Sequence, residues 1–94
     1  MNSDFASTHV TKQLIRSSSS AGANYEEARA GESRNDFIHK VGIALKEVRE
    51  AVYWLKLIQR ASLAKVEAAG LIREGIELAA ILGKSMRTAR ANSE

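Results

Sequence analysis

The chain contains no cysteine, so disulfides and thiolate-bound metals are excluded from its stability and its chemistry. Proline is absent as well, which leaves glycine and serine to mark the breaks between elements. Aromatic residues are only 5% against an apolar total of 45%, with Ala, Leu, Ile and Val carrying the apolar content. Sheets draw on aromatic and β-branched residues, so this profile suits packed helices. No apolar run approaches the ~18 residues of a membrane span. The first ten residues lack the basic start and apolar stretch of a signal peptide, which makes the cytoplasm the expected compartment.

Catalytic patterns are missing too. No serine sits in a Gly-x-Ser-x-Gly setting with a histidine placed as its base. There is no glycine-rich phosphate loop followed by Lys and Ser or Thr. His9 and His39 have no second histidine three or four residues away, and the Glu-x-x-His spacing of two-metal bundles does not occur. The expectation is a non-enzyme with no cofactor and no metal.

What is present is 94 residues and 10.3 kDa, the size of one domain spanning residues 1–94. Surface scaling gives roughly 5,400 Å² folded against roughly 15,000 Å² unfolded. That allows one thin core and no deep catalytic cavity. The net charge is +3 and the pI about 9.5, a mild basic bias that permits attraction to nucleic acid or anionic lipid without requiring it.

The apolar spacing predicts three helices. Residues 1–6 read as a frayed end. The first helix, about 7–30, is capped by Ser7 or Thr8 and carries Val10, Leu14, Ser17, Ala21 and Ala28 on one face, with Ile15 and Tyr25 flanking. The run Ser17 to Ser20 followed by Gly22 reads either as a close-packed segment or as a flexible break. Gly31 closes this helix, and Ser33-Arg34-Asn35-Asp36 outlines a capping box for the second, about 34–60. Phe37, Val41, Ala44, Val48, Ala51 or Val52, Leu55 and Ile58 form its stripe, widened by Ile38, Leu45 and Trp54. At 1.5 Å per residue it is about 40 Å long, so the domain must be elongated. A turn around 61–65 leads to the third helix, about 66–91, whose apolar face is Leu71, Ile72, Ile76, Leu78, Ala79, Leu82 and Met86. Gly70, Gly75 and Gly83 each cost about 1 kcal/mol relative to alanine in a helix, and at an interface they permit close approach. The expected fold is all-α, an elongated antiparallel up-and-down bundle. Stripes this wide exceed one face, so self-association is expected to cover the remainder.

Gln13 to Ala28, with its Ser-Ser-Ala-Gly-Ala-Asn-Tyr core, resembles the second helix of the four helix bundle protein family, also called the 23S rRNA intervening-sequence proteins. Ser33 to Lys40, Ile43 to Glu47, Glu50 and Tyr53-Trp54-Leu55 are similar to its third helix, and Ile81 to Arg90 to the end of its last. The resemblance implies a small cytosolic bacterial protein, an up-and-down bundle and a ring-shaped homopentamer. Some members are encoded inside insertions in ribosomal RNA genes. A related group, accessory to retroelement reverse transcriptases, is thought to engage RNA through a basic surface. Members usually carry a further helix ahead of the segment matching Val10 to Ala28, where about nine residues stand here. The expectation is a shortened member or a true start farther upstream. The uncovered surface this leaves adds to the expectation of an oligomer.

Candidate contact residues follow. Lys12 and Arg16 lie one turn apart, and Lys84, Arg87 and Arg90 recur every third residue. They read as a phosphate-contacting strip, or at the helix end simply as cations complementing the macrodipole. No aromatic is interleaved with them, which speaks against base stacking. Glu26, Glu27, Glu47 and Glu50 offer a carboxylate pair or a metal cluster as one reading, but Glu47 and Glu50 alternate with Lys46 and Arg49, which reads instead as a solvated or intersubunit salt-bridged face. Asn24 and Glu27 match family positions, which implies packing and hydrogen bonding between helices at the bundle end. Tyr53 and Trp54 point ~100° apart, so one is expected in the core and the other in a subunit contact. Phe37 and Leu55 complete the expected bundle or oligomer contacts. The partners expected are therefore copies of the chain, RNA, or another protein, with no membrane.

Overall fold

The computed structural model describes residues 5–31, 33–61 and 68–92. They form three helices, α1 (Phe5–Arg29), α2 (Arg34–Ala61) and α3 (Ala69–Asn92). No strand occurs among the described residues. The pairs Arg16–Glu47 and Glu27–Lys40 set α1 antiparallel to α2. Gly42 beside Met86 and Val52 beside Gly75 do the same for α2 and α3.

Helix α1 starts at Phe5, ahead of the predicted cap. Ser7 lies inside the helix, fully buried, and its carbonyl accepts the Thr11 hydroxyl at 2.7 Å. Packing of the buried stripe Ser7, Val10, Ser17, Ala21 and Ala28 outweighs the capping preference of the serine. The frayed end expected over residues 1–6 is helical at Phe5 and Ala6, and its other positions lie outside the described residues.

The serine run does not break the helix. Ser17 is fully buried, and its hydroxyl donates to the carbonyls of Gln13 and Leu14 at 2.9 and 3.2 Å. Its small side chain, satisfied within its own turn, lets α2 approach. Ser18 and Ser19 face outward.

Gly31 closes α1, its amide donating to Ala28 O at 3.2 Å. Ser33 caps α2, its hydroxyl accepting the Asp36 amide at 3.0 Å. The Asp36 carboxylate turns toward Gly31, where an added Cβ would strike it. The predicted turn over 61–65 falls outside the described residues except at Ala61. So does the expected start of α3 at Val66.

The core is a small-residue cluster of Ala21, Ala28, Val41, Ala44, Leu45, Val48 and Leu82, edged by Phe37, Ala79 and Met86. Helices α1 and α3 each pack on α2 and not on each other. The molecule measures 50 × 19 × 13 Å, with a radius of gyration of 15.1 Å against ~12 Å for a compact chain of this length. Among α3 residues only Leu82 is buried. The apolar face expected there is largely open, with Leu71 49%, Ile76 52% and Leu78 51% exposed. With α1 and α3 apart, α3 has neighbours along one side only. No helix among the described residues is long and apolar enough to cross a membrane.

Candidate functional site

Because α1 and α3 flank α2 without meeting, a groove runs between them with α2 as its floor. Val48, Ala51, Val52 and Leu55 form that floor. Leu14, Ser18, Gly22 and Tyr25 form the α1 wall, and Leu71, Leu78, Ile81 and Ser85 the α3 wall. Its hollow holds about 600 Å³. A second hollow of about 580 Å³ adjoins it through Ile81 and Ser85, and is lined by Phe37, Arg34 and Lys84. From Phe37 to Leu55 the floor extends about 27 Å at the helical rise.

The α3 wall follows from sequence. Leu71, Leu78, Ile81 and Ser85 recur by three, four and seven residues, one side step from the Gly75–Ala79–Leu82–Met86 line that meets α2. Gly75 lets α3 close on α2, since a Cβ there would come within 2.5 Å of Val52 Cγ2. Ile81 and Gly22 both line the groove, though their residue types alone do not mark them as contacts. The signal that finds them is the breadth of the apolar arc on α3 and the small residues on α1.

Polar contacts between α1 and α2 lie outside the groove. Arg16 Nη1 bonds Glu47 Oε2 at 3.0 Å, Arg16 Nη2 also pairs with Glu50, and Arg16 Nε donates to Gln13 Oε1 at 3.1 Å. Arg16 is therefore engaged within the chain, with about half of its side chain (49%) still exposed. Glu47 is buried, which corrects its reading as solvated or intersubunit. Lys40 Nζ lies 3.3 Å from Glu27 Oε2, an α1–α2 link of the kind expected for Glu27. Asn24 instead bonds within its own helix, donating to Ser20 O at 2.9 Å and facing Ser20 Oγ at 3.3 Å. Its short side chain reaches one turn back before it reaches α2.

Neither aromatic of the Tyr53–Trp54 pair enters the core, contrary to expectation. Tyr53 is 56% exposed, and Trp54 is half-buried, edge-on to His9 at 5.9 Å and to Tyr53 at 4.9 Å. The Trp54 indole donates to Glu50 Oε2 at 3.1 Å. Valine and alanine already fill the α2 interfaces, so the large rings stay at the rim. Phe37 and Leu55 are half-buried, Phe37 against the core and Leu55 in the groove floor.

The remaining cations differ among themselves. Lys12, Lys84 and Arg87 are exposed and make no ion pair among the described residues. Arg87 folds over Gly83, with Nη1 3.3 Å from the place a Cβ would take. Arg90 is exposed in the last turn of α3. Arg34 reaches the Asn92 carbonyl and ties the start of α2 to the end of α3. No group of three or more acidic residues and histidines able to hold a metal occurs among the described residues.

Residues 2–84 match the sequence profile of the 23S rRNA-intervening sequence protein family. A solved structure with the same architecture is a protein of unknown function from the S23 ribosomal protein family of Bacteroides thetaiotaomicron. It is 38% identical, with a TM-score of 0.77 over 82% of this chain and 72% of that one. No curated protein matches. With nearly the whole chain matched and the helical architecture shared, this protein belongs to the 23S rRNA-intervening sequence protein family.

Proposed function

We propose that the protein is a non-enzymatic helical-bundle protein that associates with RNA through exposed cations and self-associates through its apolar surface. Its role is that of a scaffold or accessory to an RNA or ribonucleoprotein in the cytoplasm. The observation that carries this reading is the state of its basic residues. Lys84 and Arg87 project from α3 without carboxylate partners among the described residues, beside Arg34 in the same end of the molecule. Complementing the macrodipole accounts for a cation in the last turn, such as Arg90, but that effect falls off within one turn. Lys84 lies farther back and needs another reason. The family's description names 23S rRNA, which supports RNA as the anion.

Each phosphate neutralised releases counterions, so log affinity should fall linearly with log salt. Retention on RNA measured across a salt series tests the reading: a systematic negative slope is expected, and a flat response at low salt would overturn it. A second reading, a protein–protein oligomer with no nucleic-acid contact, is favoured by the apolar groove, and a flat response would select it.

A further inference from the structure

We infer that the outward face of α2 is a binding site for single-stranded RNA, with Lys46, Arg49, Lys56 and Arg60 on the phosphates and Tyr53 stacking on a base. This rests on the RNA association proposed above. It adds a site on a different helix from Lys84 and Arg87 and names the form of RNA bound.

Helical spacing gathers the face. Lys46, Arg49, Tyr53, Lys56 and Arg60 recur by three and four residues, so they share one side of α2 over about 21 Å. All five are exposed. Val48, Ala51, Val52 and Leu55 line the groove on another side of the helix.

Charge on α2 is segregated. Lys46 and Arg49 alternate in sequence with Glu47 and Glu50, yet they do not pair with them. Arg16 engages both carboxylates, and the Trp54 indole donates to Glu50. The third acidic residue of α2, Asp36, turns toward Gly31. The four cations of the face make no ion pair among the described residues. The macrodipole accounts only for Arg60, in the last turn. Like charges held together without partners repel one another, and a polyanion laid along them relieves that repulsion.

An aromatic ring lies among these cations, which Lys84 and Arg87 lack. Tyr53 is 56% exposed at the middle of the stripe, and Trp54 steadies its ring edge-on at 4.9 Å. Single-strand sites combine these parts: cations follow the backbone while an aromatic stacks on a base. In a duplex the base faces are already stacked on one another, which leaves Tyr53 no base to take. Lysine is depleted at protein–protein interfaces, so an acidic protein fits this face less well.

The test is fluorescence anisotropy of the full chain with a labelled unpaired oligoribonucleotide, and with a duplex of the same sequence, across a salt series. Circular dichroism reports folding. Lys46→Ala with Lys56→Ala, and Arg49→Ala with Arg60→Ala, should each flatten the single-strand salt slope by about 0.7 for every cation removed. Tyr53→Ala should weaken single-strand binding about 5- to 150-fold at unchanged slope and leave duplex binding as it was. Tyr53→Phe keeps a stacking ring and should bind as the wild type does. No binding of either RNA at low salt overturns the RNA reading and this site together. Binding that responds to Lys84→Ala with Arg87→Ala but not to the α2 variants overturns this site alone. Tyr53→Ala that changes neither affinity, or both equally, overturns the stacking role and with it the single-strand assignment.

Discussion

Arg16 bridges two carboxylates of α2, Glu47 and Glu50, and so ties α1 to α2 at the level where Glu47, the one buried acidic residue among the described residues, needs a counter-charge. The Glu47 side chain is 12% exposed and that of Arg16 49%. Removing a fully buried partner costs ~3–5 kcal/mol, but solvent around Arg16 screens much of this pair. Arg16→Ala is expected to lower unfolding stability by about 1–2 kcal/mol in urea. Arg16→Lys should recover only part, since an ammonium cannot fork across two carboxylates. An unchanged urea midpoint for Arg16→Ala would show that the pair holds nothing.

That assignment separates Arg16 from the other cations. Lys84→Ala with Arg87→Ala should flatten the salt slope of RNA binding by about 0.7 per lost contact if the RNA is single-stranded. Arg16→Ala should leave the slope unchanged. Equal effects from both would mean that Arg16 leaves its carboxylates to meet phosphate.

Glycines at two positions should respond oppositely to the same change. At Gly75 a methyl group meets the stiff Val52 side chain, and overpacking of ~1–3 kcal/mol outweighs the ~1 kcal/mol helix-propensity gain. Gly75→Ala should therefore lower Tm. Gly22 faces open space in the single chain, so Gly22→Ala should raise the Tm of the dissociated protein by the propensity gain. Thermal melts at low concentration check both signs.

The neighbours Trp54 and Leu55 should also part company. Trp54 packs on His9 and Tyr53 away from the groove, while Leu55 lies in its floor. Trp54→Ala is expected to cost stability, ~1–2 kcal/mol for a half-buried ring, and leave the mass alone. Leu55→Ala is expected to reduce both. Light scattering and urea unfolding on the two variants distinguish these outcomes.

The all-α fold was legible because α2 carries an unbroken stripe from Phe37 to Ile58 and because Gly31 and Ser33 punctuate its start. The excess of apolar surface was legible on α3. Its direction was not, because periodicity places Leu78 and Leu82 on one broad arc and cannot say which edge meets α2. The ion pairs were hidden for a similar reason. Arg16–Glu50 and Glu27–Lys40 are nearly symmetric about the Gly31–Ser33 turn, a register visible only once both helices are known to pair along their whole length. Local preferences misled at Ser7, whose capping chemistry lost to burial, and at Tyr53 and Trp54, whose size suits a core that alanine and valine had already filled.

The most direct test of the account is the mass of the full chain by light scattering, alone and with RNA, at low and high salt. The account predicts a multimer of the 10.3 kDa chain without RNA, a heavier complex at low salt, and return to the protein multimer as salt rises. A 10.3 kDa particle that RNA does not shift at low salt would contradict it.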